Sequence, residues 1–493
     1  MSPTYDLVII GGGTAALIAA LGGAGVGARV ALIERDRVGG DCLWTGCVPS
    51  KALIAAAATA HTMASAARHG IEPVSPVVDL GRVMASVRAP QQVIEPHDSP
   101  ERLREAGVEV FTGHGRFTGH GTIAVEHPKG GTTQLRYRRA LIATGSRPVV
   151  PDIDGLDAAA PLTSDNLWDL GQLPARLVVL GGGPIGCELG QAFARLGSQV
   201  TIVESMPHLL PRETDRVAAA LTGRLVGEGI DVRTSSTAIR VDTVTDGAGF
   251  ELVVRSNGVD SMVPFDKILV SVGRRPNSAD LGLDAIGVSV DERGHVVVDD
   301  MLRTAAAGVF AAGDITGVMP FTHVAAYQAR IVVTNALFSM RRRASYDNIP
   351  AVTFTAPEVA RVGLDEPSAR QRWGARAKVQ RFDYATLDRA VAQGDAFGYA
   401  ELIGDPKGRI VGATVVGEGA GESIAELTAW IASGAKLAAL SQTVHAYPTF
   451  TEGPSRAADE LLRAKYFSPK MRRVSGLVLR ASRGIDRVTH RGG

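Results

Sequence analysis

The feature that most constrains the fold of this 493-residue chain is a repeat at an offset of 170 residues. Leu7-Val8-Ile9-Ile10 is an apolar run that enters Gly11-Gly12-Gly13-Thr14-Ala15-Ala16, and a second apolar run, Val30 to Ile33, ends at Glu34. Leu177 to Leu180, Gly181-Gly182-Gly183-Pro184-Ile185-Gly186, Val200 to Val203 and Glu204 return every landmark in the same order. Short apolar runs without polar alternation suit strands buried on both faces of a parallel sheet. In each loop the first glycine (Gly11, Gly181) permits a tight turn and the second (Gly13, Gly183) lets backbone approach a pyrophosphate. The third small residue (Ala16, Gly186) lets helix and strand pack closely. The phosphates then rest on a helix N-terminus, and Glu34 and Glu204 are placed to accept hydrogen bonds from a ribose diol. One such loop is weak evidence. Two with shared strand, loop, helix, strand and acid imply two Rossmann-type units and two dinucleotides.

The uncharged run Leu7 to Ala28 is long enough to raise a membrane span or signal peptide. Its seven glycines and the lack of a preceding basic stretch favour strand, turn and helix instead. The length exceeds what one core supports, so two to four domains are expected. Lys plus Arg at 52 against Asp plus Glu at 51 leaves no global field for nucleic acid. Three cysteines, none beyond Cys187, exclude a disulfide-stapled scaffold and a four-cysteine zinc site, and suit a reducing cytoplasm. No metal site is expected.

Cys42 and Cys47 sit five residues apart in Gly39-Gly40-Asp41-Cys42-Leu43-Trp44-Thr45-Gly46-Cys47-Val48-Pro49-Ser50-Lys51. A pair that closes and reopens a disulfide stores two electrons. Five residues of regular helix rise about 7.5 Å and turn about 500°, too far and badly aimed for an S–S bond. The helix is therefore expected to be distorted there, with Gly46 and Pro49 as the agents. Because the pair follows the first glycine loop closely, the first nucleotide is read as the electron relay. A flavin suits that place, since it accepts hydride and also exchanges electrons with thiols. Glu204 repels a 2′-phosphate, and no Arg or Lys follows it until Arg212, so NADH is preferred over NADPH. Cys187 reads as a small buried helix residue.

These residues together resemble the class I pyridine nucleotide-disulfide oxidoreductases, the family of dihydrolipoamide dehydrogenase, glutathione reductase and mercuric reductase. The resemblance extends through Ala143-Thr144-Gly145-Ser146-Arg147-Pro148, Gly273-Arg274-Arg275-Pro276-Asn277, Ala311-Ala312-Gly313-Asp314, Phe354 to Glu358, and Tyr447-Pro448-Thr449-Phe450-Thr451-Glu452. It implies an α/β chain with two Rossmann-type domains, for FAD and NAD(P), and an α+β C-terminal dimerisation domain. The expected boundaries are 1–150 and 273–344 for FAD, 151–272 for NAD(P), 345–468 for dimerisation, and a basic tail over 469–493. It also implies roles. Cys47 becomes the thiol against the flavin, Cys42 the interchange thiol, and Lys51 the lysine near the flavin, paired with Glu188. Glu34, Asp314, Thr144 and the backbone at Gly115 and Gly145 become FAD contacts, and Gly273 a nicotinamide-nucleotide contact. A head-to-tail homodimer is implied in which Tyr447 and Glu452 complete the partner's site.

Two departures bear on the acceptor. Disulfide-reducing members carry a histidine where this chain has Tyr447, and a phenol near pKa 10 is a poorer proton acceptor than an imidazole near 6.5. His445 is a substitute candidate, although two extended residues place it about 6.6 Å away. The mercuric reductase-like branch fits Tyr447 and Asp98 to Leu103 better, yet the C-terminal cysteine pair that delivers Hg(II) is missing. The first reading is thus an NADH oxidoreductase acting through FAD and the dithiol on a metal ion or quinone. The alternatives are a lipoamide or low-molecular-weight disulfide reductase, and a non-catalytic NADH-binding redox sensor. The tail, with Lys470, Arg472, Arg473, Arg480, Arg483, Arg487 and Arg491 among Leu477, Val478, Leu479 and Ile485, could lie on an anionic membrane. A frayed or surface-packed extension is preferred.

Overall fold

The run Leu7 to Ile10 becomes the inner part of strand Thr4–Ile10 in a computed structural model that describes residues 4–244 and 249–489. The chain falls into two compact units that divide at Tyr346 and Asp347. In the first unit, a seven-stranded sheet runs in the order Glu109–Thr112, Val30–Glu34, Thr4–Ile10, Thr132–Ile142, Thr122–Glu126, His114–Gly119. The first four are mutually parallel and the last two antiparallel. Val309–Ala311 adds to Thr132–Ile142 in parallel, so the chain returns to this sheet after the second glycine unit.

The strand alternation divides the core. Leu7, Ile9, Leu32 and Leu141 face the helices Thr14–Gly25 and Thr322–Phe338, while Val8, Ile10, Ile33 and Ile142 face Phe117, Ile123 and Tyr137. Burial on both faces explains why these strands read as unbroken apolar runs. The second glycine unit repeats the plan in a four-stranded parallel sheet ordered Asp231–Arg233, Gln199–Val203, Arg176–Leu180, Lys267–Val270.

The second unit holds a five-stranded antiparallel sheet ordered Ala351–Thr353, Glu358–Gly363, Ile410–Gly417, Tyr399–Gly404, Lys378–Asp383. Helices Ala420–Ala432 and Glu452–Tyr466 cover it, closing a core around Leu402, Val415, Leu427 and Ala458. Beyond them the described part of the tail is not the frayed or surface-packed extension expected. It is one helix, Pro469–Thr489, on which Val474, Leu477 and Val478 are exposed. Its regular apolar spacing sustains a helix that fraying would not preserve. Arg491 lies outside the described residues, and Lys470, Ile485 and Arg487 outside the described side chains.

Candidate active site

The dithiol segment is two helices, not one distorted helix. Gly40–Trp44 ends at Thr45, and Cys47–Ala64 begins after Gly46, whose φ of −114° and ψ of −103° belong to neither. The amides of Thr45 and Gly46 both donate to Asp41 O, at 2.9 and 2.6 Å, and a Cβ on Gly46 would stand 3.0 Å from that oxygen. Gly46 therefore makes the break. Pro49, expected to share in it, lies in the first turn of the following helix, where its missing N–H costs little.

A helix break leaves carbonyls without partners. Here Gln91 Nε2 donates to both Leu43 O and Trp44 O at 2.9 Å, and Trp168 Nε1 donates to Thr45 O at 3.1 Å and to Ser164 O at 2.7 Å. Gln91→Leu is expected to lower stability by about 2 kcal/mol, the cost of stranding buried acceptors. The Cys47 pKa should rise in the same variant as the turn loosens. Thermal unfolding and thiol titration against pH check the two effects.

The start of this segment is pinned to the first glycine loop. Gly39 N donates to Gly12 O at 2.9 Å, and a Cβ on Gly40 would lie 2.6 Å from Gly13 Cα. Only glycine permits that approach. The dithiol is thus held against the loop whose third glycine caps helix Thr14–Gly25 without any side-chain cap, leaving its N-terminal amides for an anion.

Cys42 and Cys47 are both free thiols, and their electrostatics diverge. A hydrogen bond from Cys42, then Thr322 and the charge of Lys51, bring the Cys47 thiol down to about 6 against the opposing effect of burial. Thr322 Oγ1 lies 3.2 Å from Cys47 Sγ, at the first residue of helix Thr322–Phe338. Cys42 is pushed up, by the same hydrogen bond and by burial. One thiol is a thiolate at neutral pH while its neighbour keeps its proton. Cys187 is fully buried and its pKa is raised by that burial, which makes it an inert core residue.

Lys51 Nζ donates to Glu188 Oε2 at 2.9 Å. Lys51 stands one turn beyond Cys47, and Glu188 is buried on helix Pro184–Leu196 of the second glycine unit, so the pair spans the two nucleotide units beside the thiols.

The remaining cofactor candidates also assemble. Gly11 and Gly181 have φ of 113° and 105°, and a Cβ on either would strike the chain at Ala143 or Ser271. Ala16 is fully buried, and a Cβ on Gly186 would lie 1.9 Å from Gly181 O. Gly183 caps its helix without a side-chain partner and has open space before it. Glu34 Oε1 accepts from Asp36 N at 2.7 Å, and burial raises its pKa. Glu204 is buried and accepts from Gly182 N at 2.7 Å and Met206 N at 2.8 Å. Gly115 lies on strand His114–Gly119 against Ile10 and Ile33.

Two motifs distant in sequence form one ladder, Ser146–Pro148 against Arg274–Pro276. Thr144 Oγ1 donates to Asn277 O at 2.8 Å, Asn277 N donates to Gly145 O at 3.0 Å, and Gly145 and Gly273 have positive φ with open space around them. Asp314 accepts from Ser146 Oγ at 2.8 Å, and its pKa is raised by burial. Arg274 donates to Ser146 and pairs with Asp41 at 3.3 Å, tying the dithiol segment to this ladder. Uncapped helix starts, glycine-lined space and buried acids are the features a dinucleotide's phosphates and riboses require, so the residues present fit FAD and a nicotinamide nucleotide.

The C-terminal candidates are differently disposed. Tyr447 is exposed, and its hydroxyl donates to Asp388 Oδ2 at 2.8 Å, an interaction that raises its pKa. His445 Nε2 lies 3.0 Å from Glu426 Oε1 and Nδ1 lies 3.0 Å from Thr443 O. Glu452 Oε2 accepts from Thr449 N at 3.4 Å, and Arg456 pairs with Oε1 at 3.3 Å. His445 and Glu452 have different partners. Gln91, Trp168, Thr322, Asp41 and Arg274 escaped sequence reasoning. Asp41, beside Cys42, carried a positional signal, whereas Gln91 and Trp168 carried none.

The sequence matches the Pyridine nucleotide-disulphide oxidoreductase family over residues 5–329 and that family's dimerisation domain over residues 349–458. A dihydrolipoyl dehydrogenase of Thermus scotoductus is 37% identical over 467 residues, covering 93% of this chain and 97% of the relative. A mercuric reductase of Streptomyces lividans is 36% identical over 458 residues, covering 92% and 95%. Among solved structures, LpdA from Mycobacterium tuberculosis superposes with a TM-score of 0.83 at 29% identity, covering 92% of this chain and 99% of that one. A Cu(II) complex of the HOCl-induced flavoprotein disulfide reductase RclA from Escherichia coli gives 0.81 at 28%, covering 93% and 100%.

Proposed function

The chain belongs to the class I pyridine nucleotide-disulfide oxidoreductases, FAD-dependent and homodimeric, and from that membership we propose that its dithiol serves an acceptor needing little proton transfer. A metal ion or a quinone is such an acceptor, and NADH is the preferred donor. When bound, FAD supplies a carrier that moves two electrons between a reduced nicotinamide and a disulfide.

The chain's own residues divide the work. Cys47, held as thiolate by Cys42, Thr322 and Lys51, is the thiol nearest the flavin, and Cys42 is the outer thiol. Lys51 and Glu188 orient that end of the flavin pocket. Glu34 and Asp314 hold the adenosine ribose and the ribitol, with Thr144 and the backbone at Gly115 and Gly145 as further FAD contacts. Gly181, Gly183, Gly186 and Gly273 frame the nicotinamide nucleotide. Closing the Cys42–Cys47 bond from the Cys47 thiolate and the Cys42 thiol releases two electrons and one proton. A quinone takes the two electrons with that proton and one more from solvent, whereas for a metal ion the single proton passes to solvent.

The observation that carries the choice of acceptor is that no free imidazole stands where disulfide-reducing relatives place one. Tyr447 donates to Asp388, and both nitrogens of His445 face oxygen partners. A positioned acid-base is worth about 10²–10⁴-fold, so a small disulfide is at a disadvantage. Relatives named mercuric reductase, and RclA as a Cu(II) complex, support a metal ion. NADH preference rests on buried Glu204 and on Arg233, which donates to Asp231 at 2.8 Å and Ser261 at 3.3 Å instead of standing open to a 2′-phosphate. Free thiols suit a cytoplasmic setting.

Steady-state oxidation of NADH and NADPH with Cu(II), Hg(II), a quinone, lipoamide and glutathione disulfide tests this reading. A kcat/KM for a metal ion or quinone about 100-fold above either disulfide is expected, following the missing acid-base. Equal or faster reduction of lipoamide would establish the disulfide-reductase alternative. Negligible turnover with every acceptor would leave the redox sensor.

A further inference from the structure

We propose that the C-terminal helix Pro469–Thr489 docks this protein on an anionic phospholipid surface, lying in the headgroup plane without crossing it. The helix lies beyond the dimerisation-domain match, which ends at residue 458. Among the described residues no helix is long and apolar enough to cross a membrane.

Its two faces differ sharply. At 100° per residue, Met471, Val474, Leu477, Val478 and Ala481 fall in one arc. Val474, Leu477 and Val478 are 52%, 65% and 62% exposed, and Phe467 just before the helix is 65% exposed. Arg472, Arg473, Arg480 and Arg483 lie on the rest of the circumference, with Leu479, 53% exposed, among them. Arg473 and Arg480 lie about 100–120° from the centre of the apolar arc, where a long side chain reaches headgroup level while its stem stays on the apolar boundary. Basic residues on the polar face and Leu and Val on the other are the composition of interfacial helices.

Charge decides the occupant. Residues 461–485 contain seven Lys or Arg and no Asp or Glu, Asp486 being the one acid of the helix, in a chain whose totals are 52 basic and 51 acidic side chains. A second copy of the helix would cover the apolar arc but would bring together two faces of the same sign, leaving the arginines without a complement. An anionic bilayer takes both faces at once, with apolar side chains among the acyl boundary and arginines at the phosphates.

Vesicle co-sedimentation of the full-length holoenzyme tests this, using neutral phosphatidylcholine and a mixture with about one-third phosphatidylglycerol. The protein should pellet with the anionic vesicles, remain in solution with the neutral ones, and be released at about 0.5 M salt, where the screening length is a few ångströms. Arg473→Gln with Arg480→Gln should weaken binding about tenfold or more, from two lost surface charges. Leu477→Asp should abolish it while NADH oxidation with a dye, measured without lipid, stays at the wild-type rate. Equal binding to both vesicles, or none to either, would overturn the proposal. So would a Leu477→Asp protein of smaller sedimenting mass than an unbound wild type, because a second copy would then be what covers the face.

Discussion

Cys47→Ser is expected to reduce turnover through the dithiol by about 10³-fold or more, the scale on which removal of an essential nucleophile acts. Serine cannot be a thiolate and cannot close a bond to Cys42, so the two electrons have no place in the side chains. The loss should extend to a spectroscopic signature. In the wild type, two-electron reduction should produce long-wavelength absorbance from the Cys47 thiolate against the flavin, and Cys47→Ser should lack it. Its pH dependence has a definite sign. The Cys47 pKa is lowered to about 6, so the thiolate, and the absorbance with it, is present above that pH and disappears as pH falls through it. Cys42→Ser behaves differently, because a hydroxyl still donates to Cys47. The thiolate should persist while disulfide formation is lost. An anaerobic NADH titration of the three proteins, repeated across pH, checks all of this. Simple bleaching of the flavin in all three would show that the cysteines are outside the electron path.

Gly186→Ala is expected to weaken NADH binding about 100-fold or more while leaving bound FAD in place. A Cβ at this position would stand 1.9 Å from Gly181 O and 2.7 Å from Ser271 Oγ. Gly181 follows strand Arg176–Leu180 and Ser271 follows its neighbour Lys267–Val270, and the amides of both are hydrogen-bonded to adjacent strands, so neither withdraws cheaply. The helix Pro184–Leu196 must instead move away from its loop, and its N-terminal amides leave the position where a pyrophosphate rests. Overpacking costs about 1–3 kcal/mol, and displaced phosphate donors add charge-assisted hydrogen bonds to the loss. The same helix carries Glu188, so the pair with Lys51 at 2.9 Å should loosen too. Isothermal titration with NADH and the flavin content of the purified variant separate the two sites. Loss of FAD together with NADH would mean global unfolding.

The two glycine units were legible because their physics is local. A buried parallel strand must be apolar throughout, a turn at positive φ must be glycine, and a close helix crossing must be small, so each requirement leaves a letter at a given spacing. The antiparallel C-terminal sheet leaves weaker marks, and its motifs became readable through resemblance. The tail shows the opposite case. Its periodic apolar residues and its arginines were visible, yet a preference for fraying overlooked that this periodicity is helical.

The dithiol separates the two kinds of information most clearly. The residues alone require that five positions of regular helix cannot bring Cys42 and Cys47 together and that the helix must be distorted, with Gly46 and Pro49 as agents, a distortion that the fold makes as a complete break at Gly46. They are silent on what pays the carbonyls exposed by that break, because Gln91 and Trp168 arrive from 48 and 123 residues away. The assignment of thiolate to Cys47 likewise depends on Thr322, 275 residues distant, and on the direction of the hydrogen bond from Cys42. Local spacing determines which residues the chain can bring to chemistry. Long-range contacts decide which of them carries the charge, since a pKa responds to neighbours in space and not to neighbours in sequence.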